Sequence, residues 1–191
     1  DNAATSFPKP VSVYDAVDRY QRESGVSIGR GAYREAVEAQ RVLDQCRQRA
    51  ATLLGAESSE RVIFTYSGTD GLNMTLAGFC RRGDHVITTE LEHNSVLRPL
   101  RYLSENRGVE VTRLSPRADG RVEPIDVQAA MRPNTRLVVV QHASNVTGAI
   151  QPIADIGEVV RAGRSRFLVD AAQSAGHLPI DLSKVPVDVL V

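Results

Sequence analysis

Apolar residues fall in short continuous runs along this chain, and stretches with a helical pattern separate them. Runs rich in Val and Ile predict strands over residues 62–65, 86–89, 137–140 and 167–170. Stretches with apolar residues three and four apart predict helices near 33–54, 71–80, 95–105, 124–131 and 153–162. Near-continuous apolar strands are buried on both faces, so this alternation predicts an α/β fold in three layers, α/β/α, with a mostly parallel sheet.

The two ends of the chain have patterns of their own. An amphipathic stretch with Val13, Val17 and Tyr20 on one face ends at Ser24, which predicts an N-terminal arm and helix over 1–24. The remaining residues, 25–191, are expected to form one large domain. The final run, 187–191, has the pattern of a buried strand with no turn after it, so we expect the chain to be part of a longer protein.

Composition narrows the possible partners. The 191 residues carry a formal net charge of +0 without a Lys/Arg tract, so nothing suggests a nucleic-acid or anionic-membrane partner. No apolar run approaches a membrane span and no signal-peptide pattern opens the chain, which predicts a cytoplasmic protein. The histidines lack paired metal-ligand spacing, so no metal site is expected. Cys46 and Cys80 are too few for a disulfide framework and are interpreted as packed thiols.

Polar residues follow the predicted strands where each strand ends. Ser67-Gly68-Thr69 follows the first strand, His93 the second and Asn145 the third, while Asp170 ends the fourth, just before Gln173. Open α/β sheets bind ligands outside the carboxyl ends of their strands. We therefore expect four strand ends to converge on one crevice.

Each of these residues has a functional and a structural interpretation. Gly68 and Thr69 open a helix whose free N–H groups favour a phosphate, yet Ser67 or Thr69 could simply cap that helix. His93 could stack on a planar ring, act as a base, or hydrogen-bond within its own loop. An acid such as Asp170 after an apolar strand is costly to desolvate without a cationic or hydrogen-bonding partner, which favours function.

Asn145 and Gln173 could each donate a hydrogen bond to a ligand oxygen or brace their own turns. Together these residues describe a site for a phosphate, an aromatic ring and a protonated ring nitrogen. Pyridoxal phosphate has these three features, and an acid facing the pyridinium nitrogen lets its ring act as an electron sink.

Five stretches, spread over the whole chain in order, carry a specific resemblance: Asp1-Asn2-Ala3-Ala4-Thr5, Arg30-Gly31, Glu92-His93-Asn94-Ser95, Ser144-Asn145-Val146-Thr147-Gly148 and Asp170-Ala171-Ala172-Gln173. With them the chain resembles the aminotransferase class V family of fold type I pyridoxal-phosphate enzymes, in particular its cysteine desulfurase branch. The resemblance implies an incomplete fold type I large domain.

The resemblance also implies roles for individual residues. Asp170 would pair with the pyridine nitrogen and His93 would stack on the ring, and these two are the expected catalytic residues. Asn145 and Gln173 would hydrogen-bond the phenolic oxygen of the cofactor.

Two further groups of residues follow from the same resemblance. Gly68 and Thr69 would bind part of the phosphate, and Asn2, Ala3 and Ala4 would lie near the substrate entrance. The run 66–71 departs from the Thr-Thr-Glu or Ala-Thr-Glu run of relatives, which leaves open which donors among 66–70 hold the phosphate.

The lysine that binds the cofactor covalently in relatives is expected after the last strand of this chain. Lys9 and Lys184 do not fit its position, and neither Cys46 nor Cys80 fits that of the desulfurase's catalytic cysteine. These 191 residues are therefore expected to be inactive alone.

The implied activity is removal of sulfur from L-cysteine, giving alanine and an enzyme persulfide, with a sulfur-acceptor protein as a possible partner. The alternatives are another class V enzyme, such as an aminotransferase, epimerase or selenocysteine lyase, or an inert large-domain fragment. The resemblance also implies a homodimer, to whose interface the loop 25–31 with Arg30 would contribute.

Overall fold

The computed structural model describes residues 4–191, which divide into two compact units, 4–63 and 64–191. The first unit contains helices α1 (Val11–Glu23) and α2 (Arg34–Leu54) and a short 3₁₀ helix at Ser59–Arg61. Gly55 ends α2 with φ 65°, a left-handed conformation that glycine adopts without a steric penalty. Both helices were expected from the sequence; the division at residue 24 stays a prediction.

Most side chains of α1 and α2 are exposed. No residue of α1 is buried, and α2 buries only small side chains: Ala36, Ala39 and Ala51. Cys46 on α2 is also exposed, so the prediction of a packed thiol is wrong for this residue. Cys46 lies on a stretch of α2, residues 41–50, in which no side chain is buried.

The second unit is built on a parallel sheet of five strands. These are β1 (His85–Thr89), β2 (Glu110–Leu114), β3 (Thr135–Gln141), β4 (Arg166–Asp170) and β5 (Val189–Leu190), in the order β2-β1-β3-β4-β5. Every neighbouring pair is parallel. Four helices accompany the sheet: α3 (Gly68–Phe79), α4 (Asn94–Arg107), α5 (Pro124–Ala130) and α6 (Ile153–Ala162). The predicted α/β fold with a parallel sheet is confirmed.

Helices cover the sheet in two pairs. α3 packs with α4, and α5 packs with α6. Right-handed crossovers between parallel strands place α4 on one face of the sheet and α5 and α6 on the other. A core of buried side chains joins α3, α4 and the sheet: Leu72, Leu76, Cys80, Val86, Val96, Leu100, Leu103, Val109, Leu137, Val139 and Leu168. The packed thiol expected for Cys80 is thus confirmed.

The strand predicted over 62–65 is wrong. These residues have no regular secondary structure, and the side chains of Ile63 and Phe64 are 72% and 48% exposed. Within the described residues they belong to no strand, because an apolar run joins a sheet only where its backbone pairs with a neighbouring strand. The strand β2, by contrast, was not predicted. Its sequence, Glu-Val-Thr-Arg-Leu, is only partly buried and does not form an apolar run.

The chain changes direction across the sheet between β1 and β3. From β1 it passes through α4 to β2 on one side, and from β2 it returns past β1 to β3 on the other. The crevice at the carboxyl ends of β1 and β3 is therefore the topological switch point, where open α/β sheets hold their ligands.

Candidate active site

A buried carboxyl group joins the ends of β1 and β3. Glu92 follows β1, and its Oε1 accepts hydrogen bonds from the Thr89 hydroxyl at 2.8 Å and from the Gln141 backbone N–H at 3.0 Å. The Gln141 side chain in turn donates to the Leu91 carbonyl. These contacts hold the polypeptide before His93 against the end of β3.

Glu92 is only 5% exposed, and its Oε2 has no hydrogen-bond partner in the described part of the chain. Burial raises the pKa of Glu92 to about 8, against the two hydrogen bonds to Oε1, and the nearby Asp170 carboxyl raises it further. Burial therefore favours the neutral carboxylic acid of this side chain over its charged form.

Asp170 lies at the end of β4, opposite Gln141 in the strand register, and is 6% exposed. Its Oδ1 accepts a hydrogen bond from the Ala172 N–H at 3.0 Å. Burial raises the pKa of Asp170, while that hydrogen bond and the nearby His93 ring lower it. Asp170 forms no ion pair with a described lysine or arginine, so its environment suits a cationic ligand group.

His93 is the N-cap residue of α4. Its Nδ1 accepts a hydrogen bond from the Ser95 backbone N–H at 3.2 Å and lies 2.7 Å from the Ser95 hydroxyl. That hydroxyl lies 2.8 Å from the hydroxyl of Thr69 on α3. The structure therefore brings together two predicted site residues, His93 and Thr69, through a serine to which no role had been assigned.

The N-terminus of α3 has both a cap and free donors. Ser67 Oγ accepts a hydrogen bond from the Asp70 N–H, so Ser67 fulfils the capping interpretation. The N–H groups of Gly68 and Thr69 bond to no described residue. A Cβ added to Gly68 would meet no atom within 4 Å, which leaves open space over this turn for an anion.

Asn145 and Gln173 lie in the turns after β3 and β4, at the same edge of the sheet as Asp170. Asn145 is exposed and bonds to no described residue, and Gln173 is half-buried. The turn of Asn145 is braced instead by Ser144, whose Oγ accepts hydrogen bonds from the Val146 and Thr147 N–H groups. Asn145 therefore does not brace its own turn through its side chain.

The strand ends that meet at the crevice are those of β1, β3 and β4. The expected fourth strand, over 62–65, is missing, but the helix that follows this segment, α3, contributes Thr69. Of the residues expected near a substrate entrance, Asn2 and Ala3 lie outside the described residues, and Ala4 is exposed. No cluster of three metal-ligating side chains occurs in residues 4–191. Over the same residues, no helix is long and apolar enough to span a membrane.

Sequence reasoning missed the roles of Glu92 and Ser95, although both stand beside His93 in a quoted motif. Charged residues are rarely buried without a partner, so the sequence gives no sign that Glu92 lies inside the fold. The Ser95 contact joins residues 26 apart in the chain, a distance that local patterns do not reveal.

The parallel sheet and its switch point define an open α/β domain, with a buried acid beside a histidine at the carboxyl ends of its strands. The profile of the family described as Aminotransferase class-V matches residues 1–191, and the chain belongs to this family.

Two similar proteins are named as a cysteine desulfurase and a probable cysteine desulfurase. The chain is 41% identical over 157 residues to cysteine desulfurase IscS of Tolumonas auensis, covering 80% of this chain and 38% of that protein. It is 35% identical over 188 residues to a probable cysteine desulfurase of Methanothermobacter thermautotrophicus, covering 98% and 46%.

Two solved structures match this chain over its whole length. The apo cysteine desulfurase of Thermococcus onnurineus NA1 superimposes with a TM-score of 0.91 at 32% identity, over 100% of this chain and 48% of that one. SspA in complex with cysteine gives a TM-score of 0.92 at 33% identity, over 100% and 55%. The chain thus spans about half the length of the proteins it matches.

Proposed function

We propose that this chain is the cofactor-binding part of a pyridoxal-phosphate-dependent cysteine desulfurase. The family membership and the names of the relatives support this activity over that of an aminotransferase, epimerase or lyase. A structural neighbour solved in complex with cysteine supports L-cysteine as the substrate. In the proposed reaction the C–S bond of cysteine breaks, its sulfur joins an enzyme thiol as a persulfide, and the carbon skeleton leaves as alanine.

The observation that carries the proposal is the environment of Asp170. A carboxyl group 6% exposed at the end of β4, without a described cationic partner, is costly unless a positively charged group faces it. A protonated pyridine nitrogen is such a group. Pyridoxal phosphate, when bound, supplies an electron sink for bonds made and broken at the amino acid.

The remaining site residues fit the other parts of this cofactor. Gly68 and Thr69 offer two backbone N–H groups at a helix N-terminus, donors of the kind that bind a phosphate. His93, exposed and close to Asp170, would stack on the ring and move a proton at its imidazole. Asn145 and Gln173 would donate hydrogen bonds to the phenolic oxygen.

Neither cysteine of the chain is the proposed persulfide carrier. Burial raises the pKa of the Cys80 thiol to about 11, with Asp84 raising it further, so this thiol is a poor nucleophile at neutral pH. Cys46 is exposed, but it does not fit the position of the family's carrier cysteine. We therefore propose that the cysteine that carries the persulfide lies elsewhere in the intact protein, as does the lysine that binds the cofactor covalently.

The proposal includes a homodimer, with a protein that accepts the sulfur as partner and a cytoplasmic location. Asn2, Ala3 and Ala4 keep their proposed place near the substrate entrance.

Replacing Asp170 by Asn in the intact protein tests the proposal. A neutral amide cannot stabilise a protonated ring nitrogen, so we expect alanine formation from L-cysteine to fall by roughly 10² or more and the absorbance of bound cofactor to change. Asp155→Asn, an exposed aspartate on α6, is the matched control and should behave as wild type. Near-normal turnover of the Asp170 variant would contradict the role given to this residue.

The same assay separates the alternatives. Sulfur release with alanine as co-product supports a desulfurase, whereas a keto acid formed from an amino acid without sulfur release identifies an aminotransferase. Absence of cofactor absorbance from the intact, purified protein after incubation with pyridoxal phosphate would reject the whole proposal.

A further inference from the structure

The imidazole of His93 has a hydrogen-bond partner that restricts where its proton can lie. The Ser95 backbone N–H donates to His93 Nδ1 at 3.2 Å as part of the α4 cap. A backbone N–H can only donate, so Nδ1 acts as the acceptor and carries no proton in this arrangement. The neutral ring therefore has its proton on Nε2, which bonds to no residue within 4–191.

This assignment determines in which direction the neighbouring hydroxyl groups donate their hydrogen bonds. Ser95 Oγ lies 2.7 Å from His93 Nδ1, and since Nδ1 accepts, the Ser95 hydroxyl donates to it. The oxygen of Ser95 can then accept a hydrogen bond from the Thr69 hydroxyl, 2.8 Å away. An ordered chain of donors runs from Thr69 through Ser95 to His93, and Ser95, only 6% exposed, is held within it.

We propose that Ser95 is a positioning residue that fixes the tautomer and the orientation of the His93 ring through this Thr69–Ser95–His93 chain. The ring then presents a proton on Nε2 for donation within the crevice. Protonation at Nδ1 would break the backbone hydrogen bond and would require the Ser95 hydroxyl to reverse from donor to acceptor, so this arrangement favours Nε2 as the nitrogen that exchanges protons during turnover. The inference deepens the proposed function, on which its kinetic part rests.

Nuclear magnetic resonance of the intact protein with ¹⁵N-labelled histidine side chains tests the tautomer directly. Signals of His93 are assigned by their loss in His93→Asn. In wild type we expect well-separated ring-nitrogen shifts typical of a proton on Nε2. Ser95→Ala leaves only the longer backbone hydrogen bond at Nδ1, so the two shifts should move towards each other as the second tautomer becomes populated. Ser95→Thr keeps a hydroxyl and should restore the wild-type pattern.

Turnover provides the second measurement. In Ser95→Ala we expect kcat for L-cysteine to fall about 2- to 10-fold, the range for one lost hydrogen bond, with KM unchanged because Ser95 acts through His93. Ser104→Ala, an exposed serine on the same helix, is the control and should change neither measurement.

Two results would overturn the inference. One is a wild-type His93 ring with its proton on Nδ1, and the other is a tautomer that does not change in Ser95→Ala. These spectra do not depend on activity, so they are distinguishable from failure of the proposed function, which would appear as normal turnover in His93→Ala.

Discussion

Glu92 and Gln141 join two strand ends through one hydrogen bond: the Gln141 backbone N–H donates to Glu92 Oε1 at 3.0 Å. Because Glu92 immediately precedes His93, the position of the histidine depends on a carboxyl group anchored to a different strand. This anchor accepts its hydrogen bonds at one oxygen only, while the other is buried without a described partner. Ionisation of Glu92 would therefore place a poorly compensated charge inside the fold.

Stability should reflect this burial as pH changes. The pKa of Glu92 is raised from 4.5 to about 8, so between these values the folded protein holds a proton that the unfolded protein releases. Glu92 thus lowers the free energy of unfolding as pH rises through this window, by up to about 1.4 kcal/mol per pH unit. Urea unfolding of the intact protein at several pH values measures the slope.

Glu92→Gln isolates this contribution. The amide oxygen can accept both hydrogen bonds of Oε1, and the variant has no proton to lose, so it should gain stability relative to wild type as pH rises from 5 to 8. Glu158→Gln, at a partly exposed residue on α6, is the control. A constant stability difference between wild type and Glu92→Gln across this range would show that Glu92 is not buried as a neutral acid.

A second histidine, His85 at the other end of the sheet, should make stability depend on pH in the opposite direction. His85 is buried between Thr135 and Thr112, whose hydroxyl oxygens lie 2.8 Å from its two ring nitrogens. Burial, and then the Arg132 charge, lower the pKa of His85 below 6.5, so it stabilises the fold above pH 6.5 and less as pH falls below it.

His85→Gln should therefore cost roughly 1–3 kcal/mol at pH 7.5, for two disrupted hydrogen bonds, and the cost should shrink towards pH 5. Thermal unfolding at the two pH values checks this. His177→Gln, at an exposed histidine, should show no such change. A cost that grows on acidification would contradict the assignment of a neutral, buried His85.

Two helical glycines allow a matched test of packing. A Cβ on Gly157 of α6 would lie 2.9 Å from the Pro186 carbonyl oxygen, whereas one on Gly78 of α3 would meet no atom within 4 Å. Gly157→Ala should cost about 1–3 kcal/mol through overpacking. Gly78→Ala should stabilise by about 0.4–1 kcal/mol, because it restricts the unfolded chain. Equal effects on the unfolding temperature would refute this account of the α6 packing.

Thr69 allows a test of the proposed phosphate site. Thr69→Val removes the hydroxyl that donates to Ser95 but keeps the proposed phosphate-binding N–H, so we expect the dissociation constant for pyridoxal phosphate to change by less than about 2-fold. Thr69→Ser should bind normally, and Thr52→Val on α2 serves as control. Fluorescence titration of the intact apoprotein measures the constants, and a rise of about 3- to 10-fold in Thr69→Val would show that its hydroxyl donates to the phosphate and not to Ser95.

Sequence patterns predicted the parts of this fold that local physics decides. The apolar runs of β3 and β4 are buried throughout their centres, so the continuous apolar pattern alone was enough to identify these strands. Residues 62–65 have an equally apolar pattern but belong to no strand within the described residues, because pairing with another strand is not a local property.

The candidate site divides in the same way. Asp170 could be identified because an acid at the end of an apolar strand is conspicuous. The neutral state of Glu92 and the donor chain through Ser95 depend on contacts between elements distant in sequence, 49 and 26 residues apart. Such contacts exist only once the sheet has brought β1, β3 and α3 together.

The N-cap role of His93 has a consequence for which substitutions this position can tolerate. Asn and Asp would cap α4 but have no aromatic ring, and Phe or Trp would stack but have no acceptor for the Ser95 N–H. Under the proposed function, imidazole alone among the natural side chains satisfies both demands. A saturation library at position 93 should therefore separate into variants that keep the helix and variants that keep the stacking, with none keeping both.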